Sequence, residues 1–369
     1  MPRLGVPMPL TAPKGHIVRP DQPELLELAE ALSATSVAVD QSGAWPAEPL
    51  RRCGEAGVFR WFVPQEKGGI GWSEADILTG YLHLSAACLT TSFILTQATG
   101  ALRRIAASRA KGAQEILEDL LTGSRLASLG ISHLTTSHRH FDKPILRAEV
   151  SEGGFLLDGF SPWVTGSSQI DFVVIGAELD DGRQILGVLP MDHPGVSFDP
   201  PGSLMALTGS QTGAVRFDRV ALPAEAVLAG PEREVLVGAT GASTGGLQTS
   251  ALAIGLADRA VRMIEEQCIK REELVEPAQS LRAEQIAAKK NLLTLAAGGQ
   301  ACSPGELRGQ SNSLALRASQ AALAAVKGAG FVRGHPAGQL CREALFFLVW
   351  SCPQPVMAAN LCELAGLAE

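Results

Sequence analysis

Phe155-Leu156-Leu157-Asp158-Gly159-Phe160-Ser161-Pro162-Trp163-Val164-Thr165-Gly166 is the stretch on which the fold of this chain turns. Its first half has the composition of a strand and its second half ends in an aromatic followed, two residues on, by a hydroxyl. Working outward, residues 126–228 alternate apolar and polar side chains with frequent Gly, Asp and Pro. Strands are expected at 126–132, 145–152, 154–160, 172–178, 184–190 and 214–222, with hairpin turns at Gly153-Gly154 and Asp181-Gly182. Short strands with tight turns and no helices between them point to an antiparallel barrel or sandwich rather than a parallel sheet.

Both flanks read as helical. Apolar residues at helical spacing predict helices over 21–39, 46–56, 74–89, 91–107 and 114–121, with Ser73 able to cap the third. Residues 58–71, with Pro64, Gly68, Gly69 and Gly71, read as a loop. Beyond Val235 four helices are expected, over 245–266, 279–297, 306–327 and 340–350, the count of an antiparallel bundle. Gly298-Gly299, Ser303-Pro304 and Gly334-His335-Pro336 read as the breaks between them. The predicted architecture is therefore α+β: an N-terminal helical domain (1–124), a central antiparallel β-barrel or sandwich domain (125–230) and a C-terminal four-helix bundle (231–369).

Bulk properties narrow the function classes. Hydrophobic residues make up 46% and charged ones 19% of 369 residues, which suits a well-packed helical protein and not a disordered one. A net charge of −7 without a basic run gives no electrostatic footprint for nucleic acid. The longest apolar run, Ala344-Leu345-Phe346-Phe347-Leu348-Val349-Trp350, falls far short of the ~20 residues that span a bilayer, and residues 1–14 lack the apolar core of a secretory signal. Seven scattered cysteines without a CxxC pair fit a reducing cytoplasm. His133, His138 and His140 match no standard ligand spacing, so no metal site is expected.

At a strand end, Trp163 and Thr165 suit a site that grips a flat heterocycle, the indole stacking and the hydroxyl bonding its edge. The order of helices, β domain and bundle resembles the acyl-CoA dehydrogenase family, and so do particular segments. Val63-Pro64-Gln65-Glu66-Lys67-Gly68-Gly69-Ile70-Gly71, Arg125-Leu126-Ala127-Ser128-Leu129-Gly130-Ile131-Ser132, Trp163-Val164-Thr165-Gly166 and Gly328-Ala329-Gly330-Phe331 each resemble a family motif in the family's order.

The resemblance implies FAD as cofactor, with the flavin carrying the redox chemistry and the protein its orientation. It implies Trp163 against the isoalloxazine face, Thr165 bonded to the reactive ring nitrogen, Ser132 at the pyrimidine end, and backbone bonds from Leu129 and Ile131. It further implies Arg271 reaching the phosphates of a neighbouring subunit's FAD, with Lys327-Gly328 approaching them, hence a homodimer or homotetramer.

The same resemblance exposes a gap on the substrate side. Dehydrogenation of an acyl thioester needs a base for a weakly acidic α-proton, which a buried carboxylate supplies. By the same resemblance Ser351 and Gly245 stand at the family's two base positions, and Glu343, Cys352 and Glu363 are the candidate substitutes. Three readings stay open: an acyl-CoA dehydrogenase-like oxidoreductase acting on acyl-CoA or another small molecule, a flavin monooxygenase or oxidase on the same scaffold, and a catalytically degenerate partner subunit.

Overall fold

A computed structural model describes residues 15–135, 144–238 and 246–367. Five helices come first: α1 (Pro23–Ser42), α2 (Ala47–Glu55), α3 (Glu74–Ala87), α4 (Leu89–Ala107) and α5 (Lys111–Thr122). Then come β1 (Ala127–Gly130), a one-turn α6 (Ser132–Thr135), β2 (Leu146–Ser151), β3 (Gly154–Val164), β4 (Phe172–Glu178), β5 (Gln184–Pro190), β6 (Val196–Phe198), β7 (Gly213–Pro223) and β8 (Val227–Glu232). A short α7 (Val235–Gly238) leads to α8 (Leu247–Cys268), α9 (Val275–Ala296), α10 (Pro304–Val326), α11 (Pro336–Leu345) and α12 (Gln354–Leu364).

Local chemistry sets several boundaries. Ser73 caps α3 as expected, its hydroxyl accepting from the Asp76 N–H. Ser303-Pro304 and His335-Pro336, read from sequence as breaks between helices, lie at those breaks and open the helices that follow. Ser303 and Glu306 form a reciprocal capping box with Pro304 in the first turn of α10, and His335 Nδ1 accepts from the Ala337 N–H at the start of α11. A proline in the first turn gives up an N–H that has no intrahelical partner there.

The central sheet corrects the expected antiparallel barrel or sandwich. It is an open mixed sheet in the order β6-β7-β3-β2-β4-β5-β8, with β1 added beside β4. Most pairs are antiparallel, and both predicted hairpins form, β2–β3 and β4–β5. However, β1 runs parallel to β4 from Ala127↔Phe172 to Gly130↔Ile175, and β2 meets β4 in parallel at Arg147↔Glu178. The reason lies in chain order: the β2–β3 hairpin is interposed before β4, so the chain re-enters beside β1 in the same direction. The edge strands β6 and β8 were missed because three residues, or a Gly-Pro-containing six, carry too little alternation.

One continuous apolar core joins all three parts. Helix α8 crosses α3 at Gly255, where a Cβ would lie 2.0 Å from Ser85 Oγ and 2.7 Å from the Leu82 carbonyl oxygen. In the N-terminal part, Trp61 stacks on Trp72 at 4.1 Å and donates its indole N–H to the Ile17 carbonyl at 2.9 Å. The loop at 63–71 is tight: a Cβ on Gly69 would come within 1.8 Å of the Val63 carbonyl oxygen. Among the described residues, no helix is long and apolar enough to cross a membrane.

Candidate functional site

Strand β3 ends at Val164, which is fully buried, so Trp163 faces the other way and leaves 57% of its surface exposed. The next residues turn inward. Gly166 adopts φ 69°, and a Cβ there would strike the Trp45 ring at 2.7 Å, so only glycine lets the chain bend against that indole. The turn is backed by residues 207–212, which sequence analysis did not single out. Gly166 N–H donates to Ser210 O at 2.9 Å, Ser167 N–H to Gln211 O at 3.2 Å, and the Gln211 amide to Gly43 O at 2.5 Å. Leu207 and Gln211 both hold positive φ, 59° and 47°. Strain of this kind persists where the surroundings over-determine the backbone.

This backing loop orients Thr165. The Thr212 hydroxyl donates to Thr165 Oγ1 at 3.3 Å, and Ser210 Oγ lies 2.8 Å from Thr212 Oγ1. With Thr212 as donor to Thr165, Ser210 donates to Thr212, and the Thr165 proton is directed elsewhere. A buried threonine thus holds out an O–H donor beside an exposed indole.

Leu129, Ile131 and Ser132 lie on and just beyond β1, whose only strand partner among the described residues is β4. The Phe172 N–H donates to Leu126 O at 3.1 Å. Alternation along the strand then turns Ser128 and Gly130 toward β4 and the backbone of Leu129 and Ile131 toward the free edge. The Ile131 carbonyl is taken by the Leu134 N–H at 2.9 Å, which leaves the Ile131 N–H and both groups of Leu129 for that edge. His133, next in line, is buried with Nε2 2.7 Å from the Gly176 carbonyl oxygen, a structural position. His138 and His140 lie outside the described residues, among which no group of three His, Cys, Asp or Glu side chains could hold a metal.

Arg271 reaches the last turn of α10, the helix that Lys327 follows. Arg271, beyond the end of α8, donates through one guanidinium nitrogen to Gln267 Oε1 at 3.0 Å and to the Ala325 carbonyl in the last turn of α10. A cation at a helix C-terminus meets the negative end of its dipole. Lys327 follows with φ 57° and ψ −148°, a conformation that glycine adopts freely and lysine does not. Gly328 is exposed, with no atom within 4 Å of where its Cβ would stand.

Ser351 has φ 46° in the turn after Trp350. Gly245 lies outside the described residues. The substitutes differ from one another. Glu343 is fully buried on α11, and burial pushes its carboxyl up to about 7 against the pull of Arg259 and a hydrogen bond from Gln339. It is not the ion-pair partner of its neighbour, since Arg342 pairs with Asp40. Burial also raises the Cys352 thiol, which Arg308 opposes. Glu363 is exposed on α12 and accepts from the Ser313 hydroxyl.

No family model matches the chain. It is 26% identical, over 67% of its length and 67% of the relative's, to a probable acyl-CoA dehydrogenase of Bacillus subtilis. A second probable acyl-CoA dehydrogenase of that strain is matched over only 30% of its length. Its structure superposes on butyryl-CoA dehydrogenase from Megasphaera elsdenii with a TM-score of 0.79 at 17% identity, covering 93% of this chain and 97% of that one. A glutaryl-CoA dehydrogenase from Mycobacterium smegmatis in complex with FADH2 gives 0.77 at 17% identity, covering 95% of each chain. The fold is that of the acyl-CoA dehydrogenases. Within it, Trp163, Thr165 and the free edge of β1 offer a ring platform, a hydroxyl donor and backbone groups, which fits a flavin by the chemistry of the donor set.

Proposed function

We propose that this chain is a flavin-dependent oxidoreductase of the acyl-CoA dehydrogenase type that binds FAD and acts on an acyl thioester or a related small substrate. The observation that carries the reading is Thr165, an acceptor toward Thr212 and hence a donor outward, next to the exposed face of Trp163. The bound FAD would supply the hydride acceptor. Trp163 would stack on the ring system and Thr165 would donate to its reactive nitrogen. Leu129 and Ile131 would bond the pyrimidine edge through backbone groups, with Ser132 beside them. Arg271 and Lys327 would bring positive charge to the phosphates and Gly328 would let backbone approach them, across the interface of a homodimer or homotetramer.

Ser351 gives the substrate side a hydroxyl, which is far too weak a base to do what a buried carboxylate does at neutral pH. On this reading either another residue serves as base or the substrate carries a more acidic proton than a simple saturated acyl thioester. The test begins with the visible spectrum of the purified protein. Flavin absorption, and its bleaching by acyl-CoA in the absence of oxygen, are expected. Trp163→Ala and Thr165→Ala are expected to weaken flavin binding about tenfold each, the loss of one ring contact or one hydrogen bond. A protein that takes up no flavin from added FAD refutes the reading, and variants that bind FAD as well as the parent refute the site.

A further inference from the structure

Three aromatic rings meet directly before Ser351. Phe346 and Trp350 are stacked, with centroids 5.0 Å apart and planes 12° from parallel. Phe93 of α4 stands edge-on to both, at 5.0 Å and 75° from Phe346 and at 5.1 Å and 86° from Trp350. Phe93 is buried, whereas Phe346 and Trp350 are half-buried.

Helix α4 links these rings to the strand that would edge the flavin. Phe93, Gln97 and Gly100 stand at i, i+4 and i+7, hence on one face of α4. At one end of that face Gly100 touches β1, since a Cβ there would lie 2.8 Å from Leu129 Cδ1. At the other end, roughly 10 Å along the helix axis, Phe93 meets the aromatic pair. A molecule lying along this face from β1 would run past the Gln97 amide and end against the rings.

The rings are held in place by an unusually expensive device. Arg308 of α10 is only 1% exposed and donates through Nη2 to the Trp350 carbonyl at 3.0 Å. Asn312, one turn on, donates to the Phe347 carbonyl at 3.2 Å. Arg308 Nε and Nη1 have no hydrogen-bond partner, and no carboxylate lies within ion-pair distance of it among the described residues. Burial pushes its guanidinium down to about 10. An apolar residue of similar volume would fill this space at less cost, because an unpaired buried charge is strongly unfavourable. What the arginine adds is a fixed position for the carbonyls at 347 and 350, and with them the rings of the Phe346–Trp350 turn.

We propose that Phe93, Phe346 and Trp350 form a ring-binding subsite for the acyl group, and that the preferred substrate carries a planar aromatic group at the far end of a short acyl chain. This rests on the reading given under Proposed function. A ring gains an edge or face contact with each neighbouring ring beyond the area it buries, and a polymethylene chain does not. Two such contacts correspond to a preference of about tenfold or more. Arg308 is then a positioning residue acting through the backbone of the turn.

The test titrates the flavin-loaded protein with 3-phenylpropanoyl-CoA and with nonanoyl-CoA, which has the same number of acyl carbons, and reads dissociation constants from the perturbation of the flavin spectrum. The phenyl thioester is expected to bind about tenfold more tightly or better, and Phe93→Leu and Trp350→Leu, which keep apolar bulk without a ring, are expected to abolish the preference. Nonanoyl-CoA binding as tightly as the phenyl thioester, or variants that keep the preference, would overturn the subsite. Free 3-phenylpropanoate is the third ligand. If it perturbs the flavin in a Phe93-dependent way while neither thioester does, the thioester reading fails and the ring subsite stands; if no phenyl ligand binds, the subsite fails.

Discussion

Glu343→Gln isolates the most perturbed carboxyl of the described residues. Glu343 is 1% exposed, receives one hydrogen bond from Gln339 Nε2 at 2.9 Å, and has no partner for Oε2. Arg259 and Arg342 favour its charged form, Asp40 opposes it, and burial outweighs them all, lifting the carboxyl from 4.5 to about 7. The folded state therefore holds a proton that the unfolded chain releases. Its contribution to stability is fully present below pH 4.5 and is lost as pH rises through 7. A rise of about 2.5 units corresponds to about 3 kcal/mol across that window. For 369 residues the unfolding entropy is about 0.8 kcal/mol per kelvin, so the loss lowers the melting temperature by about 4 °C. Glutamine keeps the shape without the proton. Melting both proteins at pH 4.5, 6 and 8 should therefore show little difference at the lowest pH and a Gln variant about 4 °C more stable at pH 8. A difference that does not change with pH, or one of opposite slope, would show that Glu343 is charged in the folded protein and refute the reasoning.

Two further predictions concern close approaches and strain. Gly255→Ala places a methyl 2.7 Å from the Leu82 carbonyl and against Ser85 Oγ, so α3 and α8 must separate; a loss of about 3 kcal/mol is expected in urea unfolding. Lys327→Gly relieves a left-handed lysine and should stabilise the flavin-free protein by about 1 kcal/mol, read as an increased melting temperature. Gly328→Ala meets open space and should leave that melting temperature unchanged while weakening FAD binding in a fluorescence titration. Unchanged FAD affinity would remove Gly328 from the cofactor site.

Much of the fold was legible because its signals are local. Leu25, Leu28 and Leu32 show the buried stripe of α1 in sequence as in structure, and the Asp181-Gly182 turn fixes the β4–β5 hairpin. Ser303-Pro304 and His335-Pro336 were legible as breaks between helices, whereas the caps that Ser303 and His335 supply show only in the hydrogen bonds. Of the proposed site, Trp163 and Thr165 stood out by type and spacing. Thr212 and Ser210 did not, since nothing in a polar loop some fifty residues away marks it as the partner that orients Thr165.

The sequence by itself determined the order of helical, β and helical parts and the hairpins, because periodicity and turn chemistry act over a few residues. Tertiary structure alone decided that β1 lies parallel beside β4 with a free edge, that the sheet stays open, and that Arg271 reaches the Ala325 carbonyl at the end of α10. It also decided that Phe93 and Trp350, more than two hundred and fifty positions apart, share one aromatic cluster over a buried arginine. Each of these is a contact between distant segments, set by which surfaces the whole core brings together, and no local pattern encodes it.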